Sequence, residues 1–151
     1  MSYATIEAGV LATIRLHASY PSSGSNSRAQ DYNILSAASP RCVVVVPGPV
    51  ERAVVAAPRR VQSFWTVYID LFVPMRTQRS TQHTNFVAER DTLLAHLDAY
   101  PTLNGTAGVI NALVVGVDDP VVWVGSRSAS YMSARVRMMV EERENITIAE
   151  T

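Results

Sequence analysis

Residues 62–74, QSFWTVYIDLFVP, alternate along their whole length. Trp65, Val67, Ile69, Leu71 and Val73 make one wholly apolar side, whereas Phe64, Thr66, Tyr68, Asp70 and Phe72 mix aromatic and polar groups. A period of two carried by β-branched and aromatic residues predicts a strand. At ~3.3 Å per residue the stretch spans roughly 43 Å. That is about twice the usual strand length, so this strand bends or leaves the body of its own domain.

Around it the pattern changes period. Tyr3, Ile6, Val10, Ile14 and His17 recur at helical spacing with Ser2 as an N-cap, which predicts an amphipathic helix over 3–17. Tyr20-Pro21 ends it, because the residue before proline is pushed out of helical geometry. Residues 19–40 are rich in Ser, Asn, Ala and Gly and read as a long flexible loop with a short turn near 32–35. The valine run of 42–46 reads as a buried strand closed by Pro47-Gly48-Pro49. Residues 50–57 are weakly strand-like and Pro58-Arg59-Arg60 interrupts them, so the region before the long strand reads as an antiparallel hairpin whose distal part projects.

The second half reads in the same way. The polar stretch 75–84 is a loop or short arm. Asn85 then caps a second helix, with Glu89 and Asp91 near its positive end and Phe86, Arg90, Leu93, Leu94 and Leu97 on its inner stripe. Tyr100-Pro101 stops it after about fourteen residues, roughly 21 Å. Such a helix covers only half of the long strand. Following the turn Asn104-Gly105-Thr106-Ala107-Gly108, residues 109–117 form a strand, Asp118-Asp119-Pro120 a turn and 121–124 a short strand extension. Residues 131–141 alternate again, and the polar tail 142–151 frays.

Composition narrows the function. The 151 residues fit one domain over 1–151. Lys and Arg total 13 against 13 acids, a formal charge of zero, so no general attraction to nucleic acid or membrane is expected. All the basic residues are arginine. Cys42 is the single cysteine and reads as a buried apolar residue. The sequence shows neither a basic leader followed by an apolar run nor an apolar stretch long enough to span a bilayer, so synthesis in the cytoplasm is expected.

Candidate chemistry is sparse. The phosphate-binding patterns GxxxxGK[ST] and GxGxxG and the nucleophile pattern GxSxG are missing, and the glycines of NGTAG precede a strand instead of a helix. His17, His83 and His96 lack metal-ligand spacing; the first and last read as helix-surface or boundary residues and His83 as a loop residue before a cap. Neither catalysis nor a cofactor nor a metal is expected. Asp70 is the informative charge, since a buried carboxylate on an apolar strand is costly unless paired. It is either exposed on the wet face of the sheet or paired with Arg135 or Arg137. Arg52, Arg59, Arg60, Arg76 and Arg79 cluster at the ends of the hairpin region, as scattered surface arginines or as an arginine-rich subunit interface.

The order of elements is informative beyond its parts. It runs from the helix SYATIEAGVLATIRLH through RCVVVVPGP and the long FWTVYIDLFVP strand to the helix FVAERDTLLAHLDAYPTLNG and two closing strands ending in VRMMVEE. This resembles the tail terminator, or tail completion, proteins of long-tailed bacteriophages, including the lambda-like minor tail protein of that role. The resemblance covers nearly the whole chain and lies in element order. It implies an α+β fold: a mixed, mainly antiparallel four- to five-stranded sheet with two helices on one face, to which the reading above adds a projecting β-hairpin. It also implies a hexameric ring of identical subunits that caps the tail tube, ends tube polymerisation and presents a surface to the head-tail connector or neck protein. The genome then passes through the ring lumen without sequence-specific recognition, and the protein resides in the virion after assembly from the host cytoplasm. The fold is similar to head-side neck proteins and tail tube subunits, which are the alternative stations. The interface expected on these grounds comprises Arg52, Arg59, Arg60, Asp70, Arg76, Arg79, Arg135 and Arg137.

Overall fold

The structure, a computed structural model, describes residues 3–20, 27–29, 41–56, 60–74, 79–118, 120–124 and 130–145. Its elements run α1 (Tyr3–Arg15), β1 (Ser27–Ala29), β2 (Cys42–Ala56), β3 (Arg60–Pro74), α2 (Arg79–Asp98), β4 (Val109–Val117), β5 (Val121–Val124) and β6 (Ser130–Asn145). The fold is α+β. The strands form one mixed sheet in the order β1-β2-β3-β6-β4, with β5 also on β6. Among the described strands only β1 is parallel to its neighbour. β4 and β5 follow one edge of β6 in succession, opposite Glu142 to Val136 and Ser133 to Ser130, so six strands fill five positions.

The alternation of the long strand decides the layers. Its odd side, Val67, Ile69, Leu71 and Val73, is buried with Val43 and Val45 of β2 and with Val136, Met138 and Val140 of β6. Ile6, Val10 and Ile14 of α1 and Phe86, Leu93 and Leu97 of α2 close over the same face. Both helices thus lie on one side of the sheet. Gly9 is where α1 meets the turn before β4: a Cβ there would come within 2.6 Å of the Thr106 hydroxyl. That turn uses left-handed backbone at Leu103, Asn104, Gly105 and Gly108.

Several boundaries differ from the sequence reading. Pro47-Gly48-Pro49 does not close a strand; β2 runs through it, and one extra residue is absorbed as a bulge between Pro47 and Val50. Proline is tolerated there because β1 pairs only Val43–Val45, so among the described residues the outer edge of β2 has no ladder for Pro47 to interrupt. α2 begins at Arg79, which places Asn85 and His83 inside the helix instead of at its cap and before it. Neither Gly nor Pro occurs between Arg79 and Asp98, and one interior Asn costs only about 0.7 kcal/mol. Its 20 residues give roughly 30 Å at ~1.5 Å each, longer than the expected cover. Arg90 is half-buried and bonds its neighbour Asp91 instead of joining the inner stripe.

β1 lies within the stretch read as loop, and the remainder of 21–40 is outside the described residues. Residues 142–145, read as frayed, extend β6, held by pairing with Arg60–Ser63. Asp118 donates its amide to the Arg135 carbonyl at 3.0 Å, and the chain proceeds along β6 instead of turning back. The hairpin tip, 57–59, is outside the described residues. Below it β3 lies between β2 and β6 as far as Arg60, so the distal part is a three-stranded ladder in place of a free hairpin.

Candidate functional site

The even side of β3 faces away from both helices. On that face the rows across the sheet are read from register. Val44, Asp70 and Arg135 share one row; Val46, Tyr68, Arg137 and Gly116 the next; Thr66, Met139 and Leu113 a third; Glu51, Phe64, Glu141 and Asn111 a fourth. Near the start of β2 this face is closed, with Cys42, Val44, Phe72 and Tyr131 buried together. Further along, Val46, Phe64, Thr66, Tyr68 and Met139 are half-buried and Leu113 is 41% exposed. No described helix covers it.

The charges on this face are ordered. Asp70 is 7% exposed. Arg135 Nε donates to its Oδ1 at 2.8 Å and Nη2 to Oδ2 at 3.0 Å, while the guanidinium lies 4.6 Å from the centre of the Tyr68 ring. The fork satisfies both carboxylate oxygens, and the ring holds the cation flat. Asp70 is therefore a paired group on the open face, and Arg135 is the partner between the two candidates. Arg137, the next residue on this side, approaches Asp118 at 3.7 Å and lies over Gly116, where a side chain would collide with its guanidinium. One row beyond Met139, Gln62 donates to Glu141 Oε1.

The expected interface set is divided by the fold. Asp70, Arg135 and Arg137 come together, as described. Arg52 is exposed and, by its register with Ser63, belongs to the opposite side of the sheet. Arg60 opens β3 and Arg79 opens α2. Arg59 and Arg76 lie outside the described residues.

Some contacts have no sequence spacing that announces them. His96 Nε2 is 2.7 Å from the Thr13 carbonyl and acts as donor to it, and the His17 ring meets His96 edge-on at 5.0 Å. These two histidines come from different elements, so helical spacing within one element could not pair them. Among the described residues no group of three or more His, Cys, Asp or Glu is placed to hold a metal ion. Glu142 is 2% exposed on the helix side and accepts from Trp65 Nε1 at 2.9 Å. Its one sequence signal was alternation: position 142 continues the inward side of Met138 and Val140.

Burial raises two tyrosines. Tyr3, against Trp65 and beside Glu7, and Tyr20, beside Glu89, both ionise well above the ordinary phenol range; desolvation is the larger cause and the neighbouring carboxylate the smaller. At Tyr20 the Arg41 cation opposes the rise in part. Arg41 itself bonds Glu89 through Nε at 3.1 Å and Nη2 at 2.7 Å, tying the start of β2 to α2.

No family model matches the chain, and no curated protein matches it.

Proposed function

We propose that the chain is a structural virion protein whose copies form a ring on the end of a phage tail tube, ending tube polymerisation and offering a surface to the head-tail connector. The observation that carries this reading is the shape of the sheet. β2, β3 and β6 have 15, 15 and 16 residues, about three times a common strand, and β4 accompanies β6 only to Glu142. Beyond that row β3 has a neighbour on each side but β6 has none past Glu142 among the described residues. Such a ladder is more than the helix-covered core requires and supplies surface that neighbouring subunits can complete.

Native mass spectrometry of the purified protein, alone and with tail tube protein, tests the proposal. The expected result is a closed ring of one stoichiometry and tubes of arrested length. A protein that stays monomeric and leaves tube growth unchanged would refute it. Imaging of the particle separates the tube end from the head side of the joint.

A further inference from the structure

On the open face β6 carries opposite charges at equal distances on either side of Met139. Met139 sits at the centre of a row with Thr66 and Leu113, and the chain on this side runs Arg137, Met139, Glu141. Rotation by half a turn about an axis along that row places Arg137 over Glu141 and Tyr68 over Phe64. We infer that this face packs on the same face of a second copy, sheet on sheet, with Met139 at the twofold axis.

That arrangement makes Arg137 and Glu141 complementary. Arg137 and Glu141 are four residues apart on one strand, roughly 13 Å, too far to meet within the subunit. Across the axis each Arg137 reaches the partner's Glu141, and the pair occurs twice. Both groups have capacity left for it. The Arg137 guanidinium is half-exposed, with its one carboxylate contact at 3.7 Å to a largely exposed Asp118. Glu141 accepts from Gln62 through Oε1, which leaves Oε2 for a further donor. The same rotation sets Arg135 over the exposed Arg143, and the Asp70 carboxylate paired with Arg135 lies beside both guanidiniums and offsets their like charge. Between the charges lie Phe64, Thr66, Tyr68, Met139 and the exposed Leu113, the apolar filling that aligned sheet packing needs. A chain of zero formal charge raises no long-range barrier to self-association. This contact closes on itself and cannot propagate a ring, so it stands independently of the assembly proposed above.

Sedimentation velocity over a concentration series tests the inference with Arg137→Glu, Glu141→Arg and the double exchange. The expected result is a dimer of the unmodified chain that each single reversal weakens by about tenfold or more, through two repelling pairs, and that the double exchange restores. Thermal melting of each variant monitors the fold, and the restored dimer of the double exchange shows that loss in the single variants is not unfolding. A monomer at every concentration, a dimer indifferent to either reversal, or reversals that the exchange does not rescue would each overturn it. Ring formation by the variants reports on other surfaces, so failure of this contact leaves the ring proposal standing.

Discussion

Asp70 and Arg135 are unequal partners. The Asp70 side chain is 10% exposed and that of Arg135 41%, so the two halves of the bond have different alternatives when it is broken. Arg135 freed of Asp70 can turn to water; Asp70 deprived of the fork stays in the sheet. Arg135→Ala is therefore expected to cost about 3 kcal/mol and Asp70→Ala about half that, read from chemical denaturation midpoints. Trp65 makes a second graded case. Trp65→Phe retains an aromatic ring against the core and loses the indole bond to buried Glu142, about 1–2 kcal/mol, whereas Trp65→Ala also removes the Tyr3 contact and costs about 3 kcal/mol. The raised tyrosines set an alkaline limit. Their ordinary value is 10.0 and the folded state holds the proton more tightly than the unfolded one. Stability from this source is complete below pH 10 and declines as the pH rises further, toward the folded values. Phenolate absorbance should accordingly show Tyr3 and Tyr20 titrating only as the protein unfolds. Asp70 was conspicuous in the sequence because it breaks an apolar strand, while its choice of Arg135 over Arg137 depends on register, which no local pattern contains.

At the scale of elements, periodicity was a good guide wherever burial imposes it. Ile6, Val10 and Ile14, the valines of β2, and the alternation of β3 and β6 were all legible, because one face of each meets the core. Boundaries were legible only where a local signal agreed with the tertiary contact. Asn85 has the chemistry of a cap yet lies inside α2, and Pro47-Gly48-Pro49 has the chemistry of a turn yet lies inside β2. In both cases the ladder or the packing outweighs a local preference of about 1 kcal/mol. The bulge explains why glycine occupies position 48: a Cβ there would approach the Thr66 carbonyl and the Tyr68 ring, each at 2.9 Å. Gly48→Ala should push β2 away from β3 at this point and cost about 1–3 kcal/mol, measured by thermal melting. A matching Gly105→Ala tests the alternative cause of loss: space is open around Gly105 but its φ is +79°, so its cost, about 1 kcal/mol, comes from backbone strain alone.

The whole molecule depends on its last strand. β6 bonds β3 along fifteen successive residue pairs, from Pro74 to Arg60, and β4 and β5 along its other edge. The core residues Met132, Ala134, Val136, Met138 and Val140 come from it. Without β6, β4 and β5 have no neighbour in the sheet, and β3, buried between two strands, becomes an edge. A chain ended at Val124 retains both helices and the β2-β3 pair, the segments with the strongest local patterns, yet it lacks the strand that joins them to β4. It is expected to show partial secondary structure by far-ultraviolet circular dichroism and no cooperative melting, whereas a sigmoidal transition in that fragment would place the folding core in β2 and β3 alone. The same topology predicts slow folding, since every pair of the β3–β6 ladder is separated by at least the whole of α2, β4 and β5 and the closure entropy precedes the contacts that offset it. This joining role was the least legible feature of the sequence. The alternation of 131–141 announced a strand and its inward face, but a strand that pairs with three others looks, residue by residue, like one that pairs with one.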